Sequence, residues 1–251
     1  MNLKNMTLEE RCIATKDYPV VITGYPKAGK SAAVEMLSEE DKKRTVIIDA
    51  ENKGLPEDDD SEYFRIVRLK YVDSSTKYKD YGNVKYKTVD EIIPYIRAVM
   101  KSDDVDRVVL DSFTAYVAEL ERLYVTTSNG FTVWNNYNQQ LHDFFRTIKE
   151  ECRAHGKFLY VLGHYRPARD KKDPEAESFM VVKGNAHYRL VEANFNTVVA
   201  LNNFRFVADN ADETNSTRIR RSLSPYESSE NSLAELEETL AASRINKNRV
   251  K

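Results

Sequence analysis

Short apolar runs of strand length alternate with stretches of helical spacing along most of the chain. Residues 18–24 (YPVVITG), 44–51 (RTVIIDAE), 106–113 (DRVVLDSF) and 157–164 (KFLYVLGH) each read as a buried strand. Residues 63–69 (YFRIVRL) and 195–203 (FNTVVALNN) read as two more. Between them, SAAVEML after the first run has helical spacing, and residues 88–100 (TVDEIIPYIRAVM) form an amphipathic helix interrupted at Pro94. A long helical stretch over 133–154 places Leu141, Phe144, Phe145 and Ile148 on one side. Continuous apolar strands separated by helices predict an α/β fold, with a mostly parallel sheet and helices on both faces.

The pattern changes after Val207. Residues 208–231 are polar and short of large apolar side chains, which predicts a flexible linker between a core over 1–207 and a C-terminal segment over 232–251. That last segment reads as a short helix with Leu233, Leu236 and Leu240 on one side. Alone it would be marginal in water, so it either packs back on the core or binds something else. The stretch over 71–87 (YVDSSTKYKDYGNVKYK) interleaves tyrosine with lysine and reads as an exposed hairpin turning at YGNV.

Composition narrows the class. The 251 residues are 41% hydrophobic and 31% charged, with a net charge of −2, so a general basic coat is excluded while a local basic patch is not. No apolar run reaches the roughly eighteen residues a membrane helix needs. The opening MNLKNMTLEERC has no apolar signal core, and the expectation is a cytoplasmic chain. Cys12 and Cys152 have no neighbours at metal-ligand spacing and form no disulfide framework.

The candidate chemistry begins where the first strand ends. Gly24-Tyr25-Pro26-Lys27-Ala28-Gly29-Lys30-Ser31 fits G-x-x-x-x-G-K-[ST], the phosphate-binding P-loop or Walker A motif, and Ala32 continues into the helix. Backbone N–H groups of such a loop, with the positive end of the following helix, surround phosphates. Gly29 permits a backbone shape that a side chain would block. Lys30 places a charge on the β- and γ-phosphates, and Ser31 offers a hydroxyl to Mg²⁺. The G-x-G-x-x-G spacing of a dinucleotide fold is absent. Asp111, ending RVVLD, is placed to share the Mg²⁺ shell from the side opposite Ser31, although a strand-end aspartate also caps turns. In IIDAEN, Asp49 and Glu51 point the same way if the strand continues through them. A carboxylate there is positioned to orient or deprotonate an attacking water.

These residues resemble a known family. VIIDAE followed by VVLDS is similar to the core of RecA-type recombinases. The resemblance implies that Glu51 is the catalytic base and Asp111 the Walker B residue. KGNAHYRLVEANFNTVVAL over 183–201 is similar to the family's GGNA helix and following strand, and Lys183 stands where a lysine reaches the γ-phosphate of the neighbouring subunit. The end of LYVLGH takes the place of the family's sensor, usually an Asn-Gln pair. Here it is Gly163-His164, so His164 is either a sensor or a structural strand-end histidine. The chain further resembles small phage-encoded ATPases with a RecA-like core, of the AAA or single-strand annealing type, over about residues 18–203. The loop after the sensor strand then faces single-stranded DNA. It carries Arg166, Arg169, Lys171 and Lys172 beside Tyr165, groups that track phosphates and stack on a base, before acidic residues that partly cancel them.

The resemblance thus implies an ATP hydrolase using ATP and Mg²⁺ on single-stranded DNA in phage-type recombination or replication. It also implies a homo-oligomer, ring or filament, and a single-strand-binding protein or replisome component as further partner. Two other readings stay open: a nucleotide or small-molecule kinase with HYRPARDKK as its lid, and a nucleotide-gated helicase-loading adaptor. Strand order separates the first two. An Asp111 strand set apart from the P-loop strand leaves room for Glu51 beside the γ-phosphate, whereas direct neighbours favour the kinase.

Overall fold

In the computed structural model, residues 5–25, 27–54, 63–71, 77–126, 132–164, 191–211 and 217–249 are described. The expected strands are β1 (Val20–Gly24), β2 (Thr45–Asp49), β3 (Arg65–Leu69), β5 (Arg107–Asp111), β6 (Phe158–His164) and β7 (Thr197–Asn202). Three more join them: β4 (Val84–Lys87), β8 (Arg205–Ala208) and β9 (Tyr226–Glu227). Among the described residues these form one sheet in the order β4-β3-β2-β5-β6-β1-β7-β8-β9. From β4 to β7 all pairs are parallel, and β8 and β9 add antiparallel. Every residue of β1, β2 and β5 is buried, so both faces of the central sheet are covered, as continuous apolar strands require.

The helices are α1 (Leu8–Ala14), α2 (Lys30–Glu35), α3 (Glu39–Lys43), α4 (Ile92–Met100), α5 (Phe113–Glu121), α6 (Thr132–His155) and α7 (Leu233–Arg249). Three of the starts have a side-chain cap. Thr7 and Glu10 form a reciprocal capping box on α1, and Ser38 and Ser112 cap α3 and α5 with their side chains. Pro94 does not interrupt α4: a 3-10 turn over Val89–Glu91, closed by a Thr88–Glu91 capping box, leads into the helix, and Pro94 is its third residue. Along α6, Leu141, Phe144, Phe145 and Ile148 are buried, as their spacing predicts.

Two segments are built differently from what their patterns suggest. Residues 81–84 do turn, with Gly82 at φ 50, but β4 then runs parallel to β3 as the sheet edge rather than as half of an exposed hairpin. The described part of the polar tail, from 217, lies against the core. Arg218 exchanges two backbone hydrogen bonds with Val198 at 2.7 and 2.8 Å, β9 extends the sheet, and α7 packs against α1. Leu233, Leu236 and Leu240 are buried, so the amphipathic helix does pack back on the core. The segment lacks large apolar residues because it is held by backbone pairing and ion pairs rather than by a wide apolar face. Asp17, buried just after α1, receives Arg220 from this segment and Arg244 from α7.

Candidate functional site

The parallel register brings four strand ends to one edge of the sheet. Asp49 is level with Asp111, Asp111 with Leu162, and His164 with Gly24. Strand β6 therefore lies between the P-loop strand β1 and the strand that ends in Asp111. Parallel strands place all their C-terminal ends together, which is where open α/β sheets bind ligands.

The loop from β1 to α2 is tightly wound. Lys27 has φ 68 and Gly29 φ 94, both in the left-handed region. A Cβ on Gly29 would also lie 2.9 Å from the ring of Phe204, so both space and backbone demand glycine. Phe204 comes from the β7–β8 turn, where Asn203 and Phe204 have φ 48 and 59, the two positive values of a tight two-residue hairpin. Asn231, just before α7, donates Nδ2 to the Gly29 carbonyl at 2.9 Å. The C-terminal segment thus props the loop from outside, which nothing in the motif announces.

An open cavity of about 370 Å³ lies along the loop, lined by Lys27, Gly29, Lys30, Ser31, Ala32, Lys53, Gly54 and His164. Lys30 donates to the carbonyls of Gly24 and Tyr25 at 3.0 and 2.9 Å. Burial pulls its pKa down to about 8, against the charge of Asp111, which raises it. Ser31 Oγ donates to Asp111 Oδ2 at 2.5 Å. Burial pushes the Asp111 carboxyl up from its ordinary value. Tyr25, 54% exposed, borders a separate cavity against β7, β8 and β9 rather than this one. Ala28 packs on the core. Pro26 lies outside the described residues.

Glu51 does not continue the strand, and it does not share Asp49's surroundings. Strand β2 ends at Asp49, and the chain bends. The Asp49 carboxylate accepts from the backbone of Gly54 at 3.0 Å and from Arg68 Nε at 3.3 Å, closing the turn behind the site. Glu51 instead faces three donors. Ser112 Oγ donates to Oε1 at 2.5 Å, His164 Nε2 is 3.1 Å from the same oxygen, and Lys53 Nζ is 2.8 Å from Oε2. The His164 hydrogen bond, with those of Lys53 and Ser112, holds the Glu51 carboxyl well below the usual carboxylate range despite partial burial. For Lys53, burial opposes the charge, but the Glu51 hydrogen bond and the nearby acids outweigh it and raise its pKa.

The structure thus brings together Lys30, Ser31, Glu51, Asp111 and His164. It adds Lys53 and Ser112, which the sequence reading missed. Ser112 follows directly on the aspartate of VVLDS, so its signal was in view. Lys53 sits between Asn52 and Gly54, a pair suited to left-handed backbone, with φ 55 and 74. The suggested trans-acting Lys183 and the DNA-facing Tyr165, Arg166, Arg169, Lys171 and Lys172 lie outside the described residues.

The donors suit Mg²⁺. Ser31 and Asp111 offer hard oxygen ligands on one hydrogen bond, and among the described residues no cluster of three or more His, Cys, Asp or Glu could form a metal cage. Mg²⁺ is ordinarily held this way, by one or two protein oxygens plus substrate phosphates and water. No described helix is long and apolar enough to cross a membrane.

No model of a protein family matches the sequence, and no curated protein matches it. Among solved structures, a KaiC-like protein from the hyperthermophilic archaeon Pyrococcus horikoshii matches at 15% identity, covering 72% of this chain and 70% of that one, with a TM-score of 0.42.

Proposed function

We infer that this chain binds Mg²⁺-ATP along residues 24–32 and hydrolyses it. The observation that carries the reading is the convergence of Ser31, Asp111 and Glu51 on one P-loop cavity, with β6 interposed between β1 and β5. That spacing leaves room beside the terminal phosphate for an acid arriving from β2. It favours water as acceptor over the second substrate a kinase needs.

The roles follow from the geometry. Loop N–H groups and Lys30 bind the phosphates, with Lys30 exchanging its two carbonyl partners for phosphate oxygens. Ser31 and Asp111 hold the metal, which supplies charge neutralisation on the phosphate oxygens. Glu51, fixed by Ser112 and His164, takes a proton from water as the water oxygen bonds to the terminal phosphorus. The bond from that phosphorus to the bridging oxygen breaks, leaving ADP and phosphate. His164 acts here through Glu51 and so positions the base.

The reading extends to single-stranded DNA in phage-type recombination or replication, in a ring or filament where Lys183 of a neighbouring copy completes the site. Its support is the resemblance of the DAE, DS and GNA segments and the basic run from Arg166 to Lys172 beside Tyr165. Phosphate release from Mg²⁺-ATP, measured with and without single-stranded DNA, tests both levels. Hydrolysis abolished in Lys30→Ala and stimulated by DNA in the wild type is expected. Turnover indifferent to DNA removes the DNA role, and phosphate transfer to an added nucleoside monophosphate replaces the hydrolase with a kinase.

A further inference from the structure

Lys53 has no place in the roles above, yet its turn is built with care. Asn52 and Gly54 on either side are both left-handed, with φ 55 and 74. The Asp49 carboxylate accepts from the backbone N–H of Lys53 at 3.4 Å and of Gly54 at 3.0 Å. Asn52 Nδ2 donates to the Leu69 carbonyl at 2.7 Å, tying the turn to β3 as well. The backbone is anchored while the side chain is left 42% exposed in the cavity that Lys30 and Ser31 line. Its Nζ lies 2.8 Å from Glu51 Oε2 and 3.9 Å from Asp111 Oδ1. In this arrangement Lys53 supplies the positive charge that two carboxylates at the mouth of the loop require.

We propose that Lys53 is a second phosphate-binding cation, selective for a nucleoside triphosphate, which leaves Glu51 for the terminal phosphate when Mg²⁺-ATP enters; this rests on the site reading given above. The physical case has three parts. The Lys53 ammonium already stands near Asp111 and would be repelled by a divalent ion held on Ser31 and Asp111. The terminal phosphate offers anionic oxygens in the same cavity, and the unbranched four-carbon stem reaches them while the backbone stays anchored. Departure of the ammonium removes one of the three donors on Glu51 and makes that carboxylate a stronger base. Arrival of the complete substrate therefore switches on the group that activates water, and a diphosphate, lacking the terminal group, leaves Lys53 on Glu51.

The test is calorimetric binding of ADP and of a non-hydrolysable ATP analogue, with Mg²⁺, to the full chain and to its Lys53→Met and Lys53→Arg variants. Loss of a charge-assisted contact made only by the terminal phosphate lowers analogue affinity about 10- to 100-fold in Lys53→Met. The same variant keeps ADP affinity, and Lys53→Arg keeps the wild-type preference for the analogue. Equal losses for both ligands, or no loss for either, would overturn the proposal. A wild-type chain that binds neither nucleotide would sink the site reading itself, and this inference with it. Melting temperature checks that each variant is folded, which the exposed side chain favours.

Discussion

Strand β5 carries a charged cluster at each end, and the two are built on opposite principles. At its start, Arg107 is 1% exposed and forms a bidentate pair with Glu237 of α7, which is fully buried, both contacts being 2.6 Å. Asp41 takes a third guanidinium nitrogen at 2.7 Å, Tyr160 donates to Glu237 at 2.9 Å, and the Phe158 ring lies 5.3 Å from the guanidinium carbon. Burial opposes the charge on Arg107, but Glu237 and Asp41 outweigh it and raise its pKa. At the other end, Asp111 shares Ser31, Lys53 and the neighbourhood of Glu51 around an open cavity. In the closed cluster each polar contact is fixed by packing, so it fastens the C-terminal helix to the sheet. In the open cluster the cation is exchangeable and water has access, so charge is free to rearrange when a ligand arrives. A ligand site and a structural staple use the same residue types; the difference lies in whether every partner is committed.

The comparison breaks most sharply at Glu51. Replacing it by Gln keeps the side chain's shape and one oxygen for Ser112 and His164, gives up the acceptor for Lys53, and removes the base, so hydrolysis falls about 100- to 10,000-fold. Nucleotide affinity and melting temperature stay near wild type, because water replaces what the open cluster loses. Single-turnover kinetics beside calorimetry reads this directly, and normal turnover in Glu51→Gln removes Glu51 as the base. The closed cluster responds in stability instead. Arg107→Met strands Glu237 as an unpaired buried charge and costs about 3–5 kcal/mol in urea unfolding, with nucleotide affinity unaltered in the folded fraction. The double variant Arg107→Met/Glu237→Leu then recovers most of the loss, to within about 2 kcal/mol of the wild type, since replacing both partners by apolar groups of similar volume is nearly neutral. A double variant as unstable as the sum of its singles would show that the pairing itself is not what the closure protects.

This contrast also explains what the sequence could tell. The P-loop, the strand-end Asp111 and the acid of DAE were legible because each lies on a local pattern, a strand followed by a turn with fixed residue types. Leu233, Leu236 and Leu240 announced the buried side of α7. Glu237 did not, because an acidic residue on a helix reads as solvent-facing until Arg107, distant in sequence, is brought against it. The tail from 217 looked like a linker because its anchors are backbone pairing at Arg218 and ion pairs to Asp17, neither of which leaves an apolar signature. His164 meets Glu51 only through strand order and register, and Lys53 through a local turn of left-handed residues, neither of which composition and periodicity encode. Asp49 and Glu51 share a face only on a strand that continues through both, and β2 ends at Asp49.

The smallest expected effect separates the clusters by the sign of their coupling. Ser112 and His164 both hold Oε1 of Glu51, at 2.5 and 3.1 Å, so either alone keeps the carboxylate aimed. Ser112→Ala removes one of the two donors to an ionised oxygen, worth about 1.5 kcal/mol with His164 still in place, and lowers hydrolysis about tenfold. Ser112 also caps α5 by accepting from the Ala115 N–H at 3.4 Å, so a modest loss of stability accompanies it and must be measured alongside. A purely structural role would stop there. A positioning role also moves the pH–rate profile: losing a donor that favours the anion raises the Glu51 pKa, and the acid limb shifts to higher pH. Adding His164→Ala leaves Oε1 with neither donor, so the double variant loses more activity than the product of the singles. That is the reverse of the closed cluster, where the second substitution repairs the first, because redundancy there would mean a buried charge with too many partners and here it means a base that never loses its aim.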